Sequence, residues 1–228
     1  MGTRYLLGLV TLSTCLGGLL LGGVGCQGSG DSEFGAATQR SSDTELIRAI
    51  QGYERAENQV LELPRWALAL CAPPVNAQGV QLPHMSRSKD SRSHGERIAT
   101  FYASPVASYV GLQHGEGTTG RSLPEGMFVV KQTWHAETVS PASVPSDQSA
   151  KASEFVVEGD HAWKKGQPRE LFVLYKPPAG SPLAGTADAG WTYAVLTSDA
   201  KRVLESGTIQ RCADCHRNAT HERLFGMH

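Results

Sequence analysis

Five residues near the C-terminus carry the most specific chemistry in the chain: Cys212-Ala213-Asp214-Cys215-His216. Cys-x-x-Cys on a helix sets two thiols about one turn apart. That spacing reaches the two vinyl groups of a haem and closes two thioethers, and the His that follows can then aim its imidazole at the iron. The pattern predicts covalently bound haem c, with Cys212 and Cys215 as attachment points and His216 as the iron ligand on one face. The same spacing also suits a redox dithiol or a zinc clip. The sequence has no second Cys-x-x-Cys and no His-x-x-x-His, so zinc would need scattered ligands.

Few residues follow His216. The only methionine among them is Met227, beside the terminal His228. A second axial ligand must therefore come from upstream or be missing. An iron with one open face suits ligand binding or chemistry better than simple electron transfer.

The chain that must position this motif has 228 residues, 40% of them hydrophobic and 19% charged. That composition supports a packed core and argues against wholesale disorder. A net charge of −1 with no Lys/Arg block argues against nucleic acid or an anionic lipid surface as the main partner.

Residues 1–25 read as a targeting segment outside the fold. Arg4 supplies the positive charge, and Tyr5 to Val24 is apolar and free of charge. Gly23-Val24-Gly25-Cys26 resembles a bacterial lipoprotein cleavage site, which makes Cys26 the lipidated N-terminus and the membrane a partner. Gly23 stands where such sites usually carry Leu. Cys15, after Leu12-Ser13-Thr14, is a poorer candidate. A soluble secreted form and an uncleaved anchor are the alternatives, since about twenty apolar residues just span a bilayer. All three place the remainder outside the cytoplasm, in the periplasm or cell envelope. With the motif and Cys26 assigned, Cys71 is left alone.

Residues 26–42 are Gly/Ser/Asp/Gln-rich and read as a flexible tether. Residues 43–92 read as a helical and irregular region. Asp43 caps a helix over Thr44 to Leu63, with Leu46, Ile47, Ile50, Tyr53 and Val60 near helical spacing and Pro64 ending it. The Pro-bearing stretch Cys71 to Lys89 reads as irregular wrapping. Residues 93–228 form the predicted haem domain. Strands are expected over Arg97 to Tyr102, Met127 to Trp134, Glu154 to Glu158, Glu170 to Lys176 and Trp191 to Thr197. Ser104-Pro105 reads as a helix start holding Tyr109 and Val110, and His135 to Ala152 as a loop. The fold class expected is α+β: an antiparallel sheet with a few helices, haem bound by the C-terminal segment.

Three stretches together resemble the cytochrome P-460 family, which includes cytochrome c′-beta: Thr100-Phe101-Tyr102 with the helix holding Tyr109; Leu123-Pro124-Glu125-Gly126-Met127-Phe128-Val129-Val130-Lys131; and Trp191-Thr192-Tyr193-Ala194 with Cys212 to His216 and Arg223-Leu224-Phe225. The similarity runs from about Ser93 to the end. It implies a β-rich fold and, in hydroxylamine-oxidising members, a bond from the amine of the strand-ending Lys to a porphyrin meso carbon. That position is Lys131 here. Read from the strand alone, Lys131 is a side chain snorkelling to water. The family's pocket Arg falls at Ala99, and Arg97, two residues earlier on the same face, is its candidate replacement. Glu125, Glu154, Glu222, His94 and His135 are unranked candidates for a distal acid/base.

Three functions follow: oxidation of hydroxylamine or a related small nitrogen compound; nitric oxide binding without catalysis in an apolar pocket drawn from Phe101, Phe128, Trp134, Phe155 and Phe172; or electron transport in the envelope with a redox partner cytochrome.

Overall fold

The structure, a computed structural model, describes residues 30–60, 65–66, 95, 97–113, 122–146, 154–219 and 221–225. Its elements are α1 (Gly30–Ala49), β1 (Arg65–Trp66), β2 (Arg97–Ser104), α2 (Val106–Gln113), β3 (Phe128–Val139), β4 (Phe155–Glu158), β5 (His161–Tyr175), β6 (Thr192–Leu196), β7 (Val203–Gly207) and α3 (Gln210–His216). The seven strands form one sheet in the order β1-β2-β3-β5-β6-β7, with β4 also on β5. All the pairings are antiparallel. The α+β expectation holds at this level.

Successive side chains of a strand point to opposite faces, and here both faces are covered. On one, Tyr102, Val130, Val173, Ala194 and Leu196 pack with Leu46, Ile50 and Tyr53 of the N-terminal region. On the other, Ala103, Met127 and Val129 pack with Tyr109 and Leu112 of α2 and with Trp191 and Leu224. Beside them Tyr193 and Val195 pack with Ile209 and Ala213, closing α3 onto the sheet. Burial on both sides explains the apolar stretch that opens β3, Phe128 to Val130, and the fully buried β6.

Several boundaries differ from the sequence pattern. The first helix runs Gly30–Ala49, so much of the expected tether is helical and the helix stops well before Leu63. Asp43 lies inside it and accepts from Gln39 Nε2 at 2.8 Å; it is not a cap. The stop is supplied by Gly52, whose φ of +72° is the left-handed conformation that ends helices. The expected loop from His135 is strand as far as Val139, because Ala136 to Val139 pair with Lys165 to Ala162. Strand pairing overrides the polar composition there. For the same reason β5 begins at His161, not Glu170. The Pro124-Glu125-Gly126 turn stands as expected, with Gly126 at φ +80° and Met127 N–H donating to the Pro124 carbonyl. The stretch Cys71 to Lys89 lies outside the described residues.

Candidate functional site

The site is built by sheet register. Lys131 of β3 sits opposite Phe101 of β2 and opposite Phe172 of β5, and Phe172 in turn faces Val195 of β6. These four share the face that carries α3. The Lys131 amine lies 5.1 Å from the centre of the Phe101 ring, a cation–π contact. Cys212 of α3 and Phe172 pack against the same cluster of Tyr193, Val195, Ile209 and Ala213. The Lys131 charge acts on both Cys212 and His216, so strand and motif meet in one region.

Lys131 is partly open to solvent as a residue, but its amine is crowded. Desolvation, with the Arg97 guanidinium, lowers its pKa to about 7, and Cys212 opposes the shift. Burial also lowers His216, to about 4; Lys131 and Arg223 add to the shift, while the hydrogen bond to the Arg223 backbone and Asp188 oppose it. The imidazole is therefore neutral at physiological pH, which is the form that binds a metal. Burial pushes the Cys212 thiol up, with Glu205 assisting and Arg211 and Lys131 opposing.

His216 Nδ1 lies 2.6 Å from the Arg223 carbonyl oxygen. A carbonyl only accepts, so Nδ1 carries the proton and Nε2 is left with its lone pair. The ring is flanked by Tyr193 at 5.5 Å and Phe225 at 5.2 Å between centroids.

Arg97, at the start of β2, is 8% exposed. Its guanidinium stands 5.3 Å over the Phe172 ring and its Nη1 lies 3.0 Å from Glu170 Oε2. This is a charge contact without hydrogen-bond alignment, because Nη1 is buried with no hydrogen-bond partner. Burial opposes ionisation of Glu170, but its own backbone N–H and the Arg97 and Arg169 guanidiniums outweigh it, and the carboxyl stays below its ordinary range. Sequence reading missed Glu170. The only signal for it was a charged residue opening the apolar run Leu171 to Tyr175.

The other candidates are dispersed. Glu125 accepts from Ala179 N–H across a loop. His135 is exposed beside Arg169, 2.9 Å away. Glu154 is exposed at the foot of β4. Glu222 accepts from Lys176 Nζ at 2.6 Å. Of the proposed pocket aromatics, Phe101 and Phe172 flank Lys131, and Phe128 lies in the core of the opposite face. Trp134 is covered by the Lys165 amine at 4.0 Å. Cys15, Cys26, Cys71, His94 and Met227 lie outside the described residues.

His216 offers Nε2, Cys212 is a free, partly buried thiol, and Arg97 Nη1 is held by the Glu170 charge without an aligned hydrogen bond. Cys215 is disulfide-bonded, and not to Cys212, so the motif is not an intramotif disulfide here. A thioether at Cys215 needs that sulfur as a thiol. The residues fit haem at His216, Cys212 and Lys131, and at Cys215 once its disulfide is open. Among the described residues, no three His, Cys, Asp or Glu side chains gather as a metal cage, and no helix is long and apolar enough to cross a membrane.

No protein-family model matches the chain, and no curated protein does. The resemblance to cytochrome P-460 therefore rests on the residues that carry it.

Proposed function

We propose that this chain is an exported c-type haem protein of cytochrome P-460 type that oxidises hydroxylamine or a related small nitrogen compound. The observation that carries the reading is the meeting of Lys131, Cys212 and His216 on one sheet face. Haem would supply an iron that binds the nitrogen compound and accepts its electrons. Cys212 and Cys215 would hold it by thioethers, and His216 would ligate through Nε2, with Nδ1 kept protonated by the Arg223 carbonyl. With a pKa of about 7, Lys131 is a neutral amine in a large fraction of molecules at neutral pH. Only that form has the lone pair that a bond to a porphyrin meso carbon would need; the bond would replace the meso hydrogen, and a two-electron oxidant such as a peroxide would take the electrons released. Arg97 would donate to an electronegative atom of the bound compound, and Glu170 keeps Arg97 in place. A redox partner cytochrome would take the electrons onward. Lipid on Cys26 would hold the protein at the membrane of the envelope, so Cys26→Ala is expected to release it from the membrane fraction.

A second reading, nitric oxide binding without catalysis, is favoured by one feature: the Phe101 and Phe172 rings on either side of Lys131 make that stretch apolar. The two readings separate on the ferrous absorption spectrum. An amine-linked porphyrin absorbs well to the red of an ordinary haem c. Lys131→Leu is expected to keep the colour but return the band to the ordinary position and remove hydroxylamine oxidation. Identical spectra for wild type and Lys131→Leu, with Lys131 unmodified by peptide mass analysis, would overturn the enzyme reading in favour of nitric oxide binding.

A further inference from the structure

The segment after the motif returns to the sheet through a two-residue turn. His221 N–H and Leu224 N–H donate to each other's carbonyls, and the residues between them, Glu222 and Arg223, have φ of +48° and +79°. Two positive φ values in succession mark a type I′ turn, which favours Asn and Gly. Neither residue here is of that kind, so the backbone is strained, and strain persists only where surroundings over-determine it. They do so through both side chains. Glu222 accepts from Lys176 Nζ at 2.6 Å and from Leu123 N–H at 3.2 Å, and Lys176 Nζ also donates to Ser122 Oγ at 2.8 Å. Arg223 grips Asp188 through Nε at 2.9 Å and Nη2 at 3.1 Å.

Asp188 closes a circuit. It accepts from the Tyr193 hydroxyl at 3.0 Å, the Tyr193 ring flanks His216, and His216 donates to the Arg223 carbonyl. Asp188 is itself fixed by mutual backbone bonds with Trp191. This strained turn delivers the Arg223 backbone oxygen to the His216 ring.

We infer that Asp188 and Arg223 are positioning residues that hold the Arg223 carbonyl on His216 Nδ1, and so set the orientation and electron donation of Nε2. The inference rests on the haem reading above, with His216 as ligand. A hydrogen bond from the far nitrogen raises the basicity of a ligating imidazole and favours the more oxidised metal.

The test uses the haem-loaded full-length protein and reads the iron–histidine stretch of the ferrous form by resonance Raman, with the reduction potential alongside. Arg223→Gly keeps a residue that accepts positive φ but removes the grip on Asp188; Asp188→Asn removes the charge from the other side. Each is expected to shift the stretch to lower frequency and the potential upward. The double variant is expected to add little to either single change, and Arg223→Lys to restore part of the wild-type value. If either glycine or asparagine variant fails to fold, by circular dichroism, the remaining one and Arg223→Lys decide. A lowered melting temperature with an unchanged stretch and potential would reduce the pair to a fold brace and overturn the inference. A wild-type protein that carries no haem under conditions of haem attachment would instead overturn the reading beneath it, and the inference with it.

Discussion

The two faces of the sheet are made by the same strands and differ in kind. On the α1 side, Val130, Val173, Ala194, Leu196 and Leu171 form one apolar cluster with Leu46 and Ile50. One residue along each strand, on the other side, stand Lys131, Phe172, Val195 and Glu170, with Arg97 and the Cys212–His216 helix around them. Alternation of period two separates a mainly apolar face, whose tyrosines Tyr53, Tyr102 and Tyr175 are pushed up by burial, from a face that holds an amine and an imidazole pushed down by it. The lowered Lys131 and His216 pKa values, the buried Arg97–Glu170 contact and the strained Glu222–Arg223 turn gather on the second face.

That contrast makes predictions of graded size. The largest effect is total: Cys212→Ala with Cys215→Ala should abolish covalent colour, measured after acid–acetone extraction, while the far-ultraviolet circular dichroism of the sheet persists. Next, Leu46→Ala on the opposite face should cost about 2–5 kcal/mol by denaturant unfolding, since it leaves a cavity in a closed cluster, with no change in the absorption spectrum. A spectral change there would erase the distinction between the faces.

Lys131 sharpens the comparison through pH. Its pKa in the folded protein, about 7, is below the ordinary lysine value of 10.5. Between those values the unfolded chain holds a proton that the folded chain lacks, so this residue makes stability rise with pH across that window; below about pH 7 its full cost is present. In haem-free protein, Lys131→Leu should flatten that rise, as read by urea unfolding at pH 6 and pH 9. Amine labelling of Lys131, mapped by peptide mass, should show a midpoint near pH 7. The smallest effect belongs to the periphery. Arg211→Ala breaks a half-exposed pair with Glu205 and should change stability by about 1 kcal/mol or less, leaving the spectrum in place.

Much of this was legible in the sequence where local chemistry decides. The Cys-x-x-Cys-His motif lies on a helix, β3 and β6 announce themselves by β-branched and aromatic runs, and Gly126 marks its turn. Lys131 could be set on a strand face, but its surroundings could not, because the Phe101 and Phe172 neighbours come from register across three strands. Long-range pairing also hid the extensions of β3 past His135 and of β5 back to His161, whose polar composition reads as loop. Glu170 and Asp188 carried no motif, and Arg223 stood in the C-terminal stretch of the resemblance without a role of its own. Their roles arise from contacts such as Asp188–Arg223, 35 positions apart, which no local window contains. Glu222 stood among the candidate acid/base residues; its carboxylate accepts from Lys176 Nζ and Leu123 N–H.

The most direct test of the account is mass analysis of the proteolytic peptide that contains Cys212 to His216, from full-length protein produced in an exporting host with haem-attachment machinery. The account predicts this peptide with one haem added through Cys212 and Cys215 and no disulfide at Cys215. A peptide without haem, with Cys212 a free thiol and Cys215 still in a disulfide, would contradict it.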